Sequence, residues 1–215
     1  MTAVHNARFI LASASLRREQ LLKQLGFEPL CMPVSVNESP LVGETPAALV
    51  ERLARQKAER CLHQRFQAGE QLSTGADVIV LGADTVIDLD GLVLGKPAGK
   101  SDGLAMLKRL ADREHSVLTG VCVLRARFNA FDSPPDRHEV CVNTRVRFGP
   151  VSDEQAEAYW ETGEPAGKAG SYAIQGGGAQ FVSFLSGSYS NVVGLPLYET
   201  NRLLQQAGLT ANQPA

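Results

Sequence analysis

Apolar positions along this chain follow two rhythms, one of strands and one of helices. The run Arg8-Phe9-Ile10-Leu11-Ala12 is short and almost wholly apolar, which predicts a buried strand. After the polar Ser13-Ala14-Ser15, leucines at 21, 22 and 25 recur at helical spacing. A helix is therefore predicted over residues 16–25, with Ser15 as its N-cap and Gly26 as its stop. A second strand is predicted near residues 27–36, leading to Glu38. Thr45-Pro46 opens a long helix over residues 46–66, proline being tolerated in a first turn, and residues 67–75 read as a polar loop.

Val78-Ile79-Val80-Leu81 is apolar on both faces, the pattern of a strand inside a sheet. Gly82-Ala83-Asp84-Thr85 follows, and residues 86–94 carry an Asp90-Gly91 turn signal. A helix is predicted from Ser101-Asp102 to about residue 111, a strand over 117–125, and an exposed loop over 127–138 containing Pro134-Pro135. Val140, Val142, Thr144, Val146 and Phe148 alternate with Cys141, Asn143, Arg145 and Arg147, as in a strand with one wet face. Ser152-Asp153-Glu154-Gln155 is a capping box for a helix ending at Gly163. The glycine-rich residues 170–194 predict short strands and tight turns, and a last helix runs from Pro196 to a stop at Gly208. Strands mixed with helices and hairpins predict an α/β fold with a mixed sheet. All 215 residues read as one domain, with the 127–138 loop as the point where two lobes would separate.

Composition narrows the function. A formal net charge of −2 argues against a general nucleic-acid coat, which depends on broad phosphate neutralisation. A polyanionic ligand would have to be held by a local positive cluster. The cysteines at 31, 61, 122 and 141 form no CxxC or Cys/His ligand spacing, so a zinc site of the usual pattern is not expected and reduced, cytosolic thiols are. The first residues lack a signal-peptide pattern, and no stretch of about 18 apolar residues predicts a membrane span. The expectation is a cytoplasmic protein.

Five constellations carry candidate chemistry. Ser13-x-Ser15-x-Arg17-Arg18 sits at a strand-to-helix junction, where free N–H groups, hydroxyls and guanidinium groups suit phosphate. The same residues also fit an ordinary capped helix with solvated arginines. Lys57 shares a helix face with Val50, Ala54 and Cys61; it either meets an anion there or snorkels to water. Asp84, expected just past the end of a buried strand, suits a hard cation or general-base work on water, and equally a turn or cap. Lys96, between Gly95 and Pro97, is held by restricted backbone or is a solvated turn lysine. Residues 163–176 place Lys168 and Gln175 in a glycine-rich loop, where they read a phosphate and a base edge or belong to a tight structural turn. Gly99-Lys100-Ser101 does not complete a P-loop, because Leu94 stands where the first glycine is needed. The histidines at 5, 63, 115 and 138 have no ligand spacing.

The order of these segments resembles one family. Leu11-Ala12-Ser13-Ala14-Ser15-Leu16-Arg17-Arg18, Arg55-Gln56-Lys57-Ala58, Gly82-Ala83-Asp84-Thr85, Gly95-Lys96-Pro97, Lys168-Ala169-Gly170-Ser171-Tyr172-Ala173-Ile174-Gln175-Gly176 and Val193-Gly194-Leu195-Pro196-Leu197 look like the signatures of Maf-type nucleotide pyrophosphatases. The resemblance spans roughly residues 8 to 207. It departs at Leu16, where proline is usual, and at Gly167, where aspartate is common.

The resemblance implies a mixed, strongly twisted sheet flanked by helices, in two lobes around a central cleft. It implies hydrolysis of a nucleoside triphosphate between the α and β phosphates, clearing non-canonical nucleotides, with Mg²⁺ or Mn²⁺ as cofactor. Asp84 would be the water-activating base or a metal ligand, sharing the metal with Glu38. Ser13, Arg17, Arg18, Lys57, Lys96 and Lys168 would hold the substrate, and Arg18, Thr85 and Gln175 would govern its choice. The Ala-Asp-Thr and Ile-Gln-Gly forms resemble the branch acting on dTTP and UTP, as against the branch acting on 7-methyl-GTP. The family also implies a homodimer, no membrane and no nucleic acid. An alternative drawn from it is a nucleotide-binding regulator of cell division with little catalysis.

Overall fold

The computed structural model describes residues 8–67, 77–127 and 134–211. In chain order these form β1 (Arg8–Leu11), α1 (Leu16–Gln24), β2 (Leu30–Cys31), α2 (Pro46–Gln67), β3 (Asp77–Leu89) and β4 (Leu92–Leu94). They continue as α3 (Lys100–Leu110), β5 (Glu114–Arg127), β6 (Asp136–Phe148), α4 (Asp153–Glu161), β7 (Val182–Ser186), α5 (Tyr189–Val193) and α6 (Leu197–Gln206). Short 3-10 turns lie at Ala169–Ser171 and Gly177–Phe181. The strands make one seven-stranded sheet in the order β2-β1-β3-β5-β6-β7, with β4 paired to β3. The pairings β1–β2 and β1–β3 are parallel and β3–β4 and β6–β7 antiparallel, so the sheet is mixed, as the pattern of elements predicts.

Local chemistry sets most boundaries. Ser15 caps α1, Ser152 and Gln155 close the capping box of α4, and the Thr45 hydroxyl accepts from Ala48 N at the start of α2. Asp90 (φ 53°) and Gly91 (φ 86°) both lie in the left-handed region, as a two-residue hairpin turn between Leu89 and Leu92 requires.

Four expectations are corrected. The second strand shrinks from residues 27–36 to Leu30–Cys31, because Met32 N donates to Leu11 O at the last residue of β1, beyond which β1 offers no partner. The expected strand 78–81 and hairpin arm from 86 are one continuous strand, so Asp84 lies inside β3 and not beyond its end. β6 begins at Asp136, so the described part of the expected 127–138 loop is largely strand; residues 128–133 lie outside the described residues, as does most of the 67–75 loop. The glycine-rich stretch holds one strand, β7, and otherwise 3-10 turns and the short α5, since positive φ at Gly170, Ser171 and Gly187 interrupts extended backbone.

The chain divides into two compact units, Met1–Asp84 with Gly120–Cys141 and Gly194–Ala215, and Thr85–Thr119 with Val142–Val193. The divisions fall inside β3, β5 and β6. In the first unit α2 lays Ala54, Ala58, Cys61 and Leu62 against Ile10, Val78, Val80, Cys122 and Leu124 of the sheet. The second unit has an aromatic core, in which Phe148 packs edge-on to His115 and Tyr172 and lies beside Phe181.

His115 is buried in that core, with Nε2 2.9 Å from the Tyr172 hydroxyl, and burial pulls its pKa down to about 4. An unfolded histidine titrates near 6.5. As pH falls between those values the unfolded chain takes a proton that the folded chain refuses, so stability is full above about pH 6.5 and is lost towards pH 4, by up to about 3 kcal/mol. Urea midpoints measured across this range should fall more steeply for the natural protein than for a His115→Phe variant.

Candidate functional site

The site in the first unit begins where β1 stops. The parallel ladder of β1 and β3 ends at Leu11 and Leu81, with Ala12 N donating to Leu81 O at 2.8 Å. Beyond that point the Ala83 carbonyl accepts from Arg18 Nη1 at 2.9 Å. The same guanidinium donates from Nε to Gly194 O at 2.9 Å and from Nη1 to Ser13 Oγ at 3.3 Å. Arg18 therefore joins three motifs that lie far apart in the chain. Burial lowers its pKa, the Asp84 carboxylate raises it, Arg17 adds to the lowering and Glu38 to the raising, so these four charges share one neighbourhood. Leu16, in place of the usual proline, leaves the helix start intact: Ser15 Oγ accepts from Arg18 N at 3.4 Å.

Asp84 is brought to Lys57 by a close helix–strand contact. Val78 and Val80 face α2, so the alternation of a strand turns Gly82 and Asp84 to the same side. A Cβ at Gly82 would lie 2.2 Å from Ala54 O and 2.7 Å from Ala58 N, which only glycine avoids. With α2 that close, Lys57, between Ala54 and Ala58, reaches Asp84 Oδ1 at 2.6 Å. Its Nζ is also 2.6 Å from Glu38 Oε1. Lys57 and Asp84 are 9% and 8% exposed, so the ammonium meets Asp84 inside the protein and does not snorkel to water, while Glu38 reaches it from the exposed side.

Arg52, which the sequence pattern does not single out, braces the segment carrying Glu38. It donates to Glu44 at 2.6 and 2.8 Å and to Ser39 O at 3.0 Å. The bond from Arg52, then one from Leu41 N, hold the Glu44 carboxyl down to about 2. Glu44 and Arg52 are eight positions apart across a helix start, a spacing with no local signature. Arg55, in the Arg55-Gln56-Lys57-Ala58 motif, pairs with Glu139 at 2.7 Å.

Thr85, Lys96, Lys168 and Gln175 belong to the second unit. Thr85 Oγ1 is 2.9 Å from Thr119 Oγ1, which donates to Asn191 O. Gly170 N donates to Gly95 O at 3.0 Å, which places the Gly95-Lys96-Pro97 segment against the 168–176 loop. Lys96 and Gln175 are exposed and Lys168 and Arg17 half-buried. Lys100 of the failed P-loop pattern pairs with Glu161 at 2.6 Å. Among the described residues no three or more His, Cys, Asp or Glu side chains group to hold a metal, so any metal would rest on fewer protein ligands. No described helix is long and apolar enough to cross a membrane.

Fold and site together define an α/β protein built around a buried aspartate–lysine pair, met by an exposed glutamate, on an open mixed sheet. The sequence model for Maf-like proteins matches residues 8–207, and the chain belongs to that family. Its relatives include a dTTP/UTP pyrophosphatase of Pseudoalteromonas atlantica, 45% identical over 93% of this chain and 97% of its own. Another dTTP/UTP pyrophosphatase, of Acinetobacter baylyi, is 44% identical over 91% of this chain and 97% of its own. A third, of Symbiobacterium thermophilum, is 45% identical over 94% of each.

Proposed function

We propose that this protein is a nucleoside triphosphate pyrophosphatase that cleaves dTTP and UTP to monophosphate and pyrophosphate, with Asp84 as the residue that activates water. The single observation that carries the proposal is the contact of the buried Lys57 with both the buried Asp84 and the exposed Glu38, in a chain about 45% identical over nearly its whole length to relatives named for that activity.

The cluster suits the chemistry. Two carboxylates converge on one cationic nitrogen, and a pair of carboxylates completed by phosphates and water is the usual protein share of a Mg²⁺ site. Glu38 and Asp84 would hold the divalent cation, Mg²⁺ or Mn²⁺, which when bound neutralises charge developing on the phosphates. Asp84, held at its Oδ1 by Lys57, keeps Oδ2 to accept a proton from water. Ser13, Arg17, Arg18 and Lys57 would orient the triphosphate, Arg18 also fixing the main chain beside Asp84. Lys96 and Lys168 are proposed as further phosphate contacts, and Thr85 and Gln175 as groups that choose the base. A cytoplasmic homodimer without nucleic-acid partners completes the reading.

Pyrophosphate release from UTP, dTTP, CTP and 7-methyl-GTP, each with Mg²⁺ or Mn²⁺ and after chelation, tests it. UTP and dTTP should be cleaved at least about tenfold faster than the others, a factor that one misplaced hydrogen bond costs. Chelation should abolish turnover. Preference for 7-methyl-GTP would move the chain to the other branch. UTP binding with no pyrophosphate release would favour the regulatory alternative.

A further inference from the structure

We propose that Tyr159 and Glu164 form a clamp that positions Gln175, and through it sets how tightly the pyrimidine ring is held. The inference deepens the proposed pyrophosphatase reading and rests on it.

Sequence brings the two residues together locally. α4 ends at Glu161, and Gly163, at φ 75°, reverses the chain so that Glu164 returns to Tyr159. The Tyr159 hydroxyl donates to Glu164 Oε1 at 2.5 Å and accepts from Ala173 N at 3.0 Å. Glu164 Oε2 accepts from Gly177 N at 3.0 Å, and Oε1 from Gly178 N at 3.1 Å. Gly176 N donates to Ala173 O at 3.2 Å, closing a four-residue turn with Gln175 third and exposed. Both ends of that turn are thus tied to one pair of side chains. A Cβ at Gly176 would lie 2.0 Å from Glu164 Oε2, and one at Gly178 would lie 2.7 Å from the Tyr159 hydroxyl. Gly176 and Gly178 therefore lack side chains because the clamp closes on them, whatever ligand lies beyond.

Burial pushes the Glu164 carboxyl up, but the Tyr159 hydroxyl, the Gly177 and Gly178 N–H groups and the Lys168 charge outweigh it and hold it below its usual range. The clamp is therefore ionised and closed at neutral pH.

The consequence for recognition is geometric. A carboxamide offers one acceptor and one donor side by side, which match the N3–H and adjacent carbonyl of uracil or thymine. Rotated, the same group matches the N3 acceptor and exocyclic amine of cytosine. The clamped turn fixes where that carboxamide stands against the ring, and small misplacements of a binding group weaken the bonds that tell the two rings apart. Tyr159 and Glu164 are positioning residues in this scheme.

The test is a set of steady-state measurements on full-length protein with UTP and CTP. Tyr159→Phe removes the hydroxyl that Ala173 N needs. Glu164→Gln keeps the shape but sets an amide N–H against a backbone N–H. Each is made alone and on a Gln175→Ala background. Either clamp variant should raise KM for UTP about tenfold and narrow the UTP/CTP preference, with kcat changed less than about threefold. On the Gln175→Ala background neither should raise KM further. Equal increases on both backgrounds, or a lowered Tm with KM unchanged, would overturn the clamp while leaving the activity intact. Failure of the unaltered protein to cleave UTP would overturn the activity reading and this inference together.

Discussion

Asp84→Asn is expected to lower kcat for UTP by roughly two to four orders of magnitude, the range for removing a positioned general base. The substitution keeps shape and volume, and the carboxamide oxygen still accepts from Lys57 in place of Oδ1. Lys57 also keeps Glu38 at 2.6 Å, so its ammonium stays paired and the variant should fold. What is lost is the second oxygen's ability to take a proton, and with it one of the two carboxylates proposed to hold the cation. KM should therefore move less than kcat. Pyrophosphate release by the folded variant is the measurement, and cleavage at the normal rate would rule out Asp84 as the activating group.

Lys57→Met tests the other half of the pair, and its effect should divide between stability and turnover. Lys57 and Asp84 are both buried, and removing one member of such a pair commonly costs about 3–5 kcal/mol because the other charge is left without compensation. Methionine replaces the apolar length of the lysine stem but not its charge. Asp84 Oδ1 also loses the bond that orients its carboxylate, so kcat for UTP should fall at least about tenfold. Lys57→Arg should not restore the natural rate, since a planar fork does not fit a point-like contact to two carboxylates beside a backbone packed this closely. A lower Tm with kcat unchanged would reduce Lys57 to a structural role.

Legibility in the sequence followed the range of the interaction. Helix starts were readable because their causes lie within three or four residues: Ser15 over Arg18, Ser152 with Gln155, and Thr45 over Ala48 all cap helices from the neighbouring sequence. The Asp90-Gly91 turn was readable for the same reason. The second strand was not, because its length depends on how far β1 offers it partners. Asp84 read as lying past a strand end because the apolar run stops at Leu81. In the fold Gly82 continues the strand, and its missing side chain makes room for α2.

The candidate site divides in the same way. Lys57 on a core-facing stripe left two outcomes open, an anion or water, since a helix face alone does not say what lies opposite. Arg18 looked like either a phosphate ligand or a solvated first-turn arginine; its carbonyl partners, Ala83 and Gly194, are 65 and 176 residues away. Arg52, Tyr159 and Glu164 gave no signal, because each works by holding another segment in place.

By itself, the sequence determined the periodicities, the caps, the mixed α/β class and the identity of the charged residues that could serve phosphate chemistry. Each of these follows from residues within a turn or two of one another. Tertiary structure alone decided that Asp84, Glu38 and Lys57 form one cluster. That outcome needs a helix backbone pressed against a strand at Gly82, a contact made by residues some 25 positions apart whose free energy depends on shape in three dimensions.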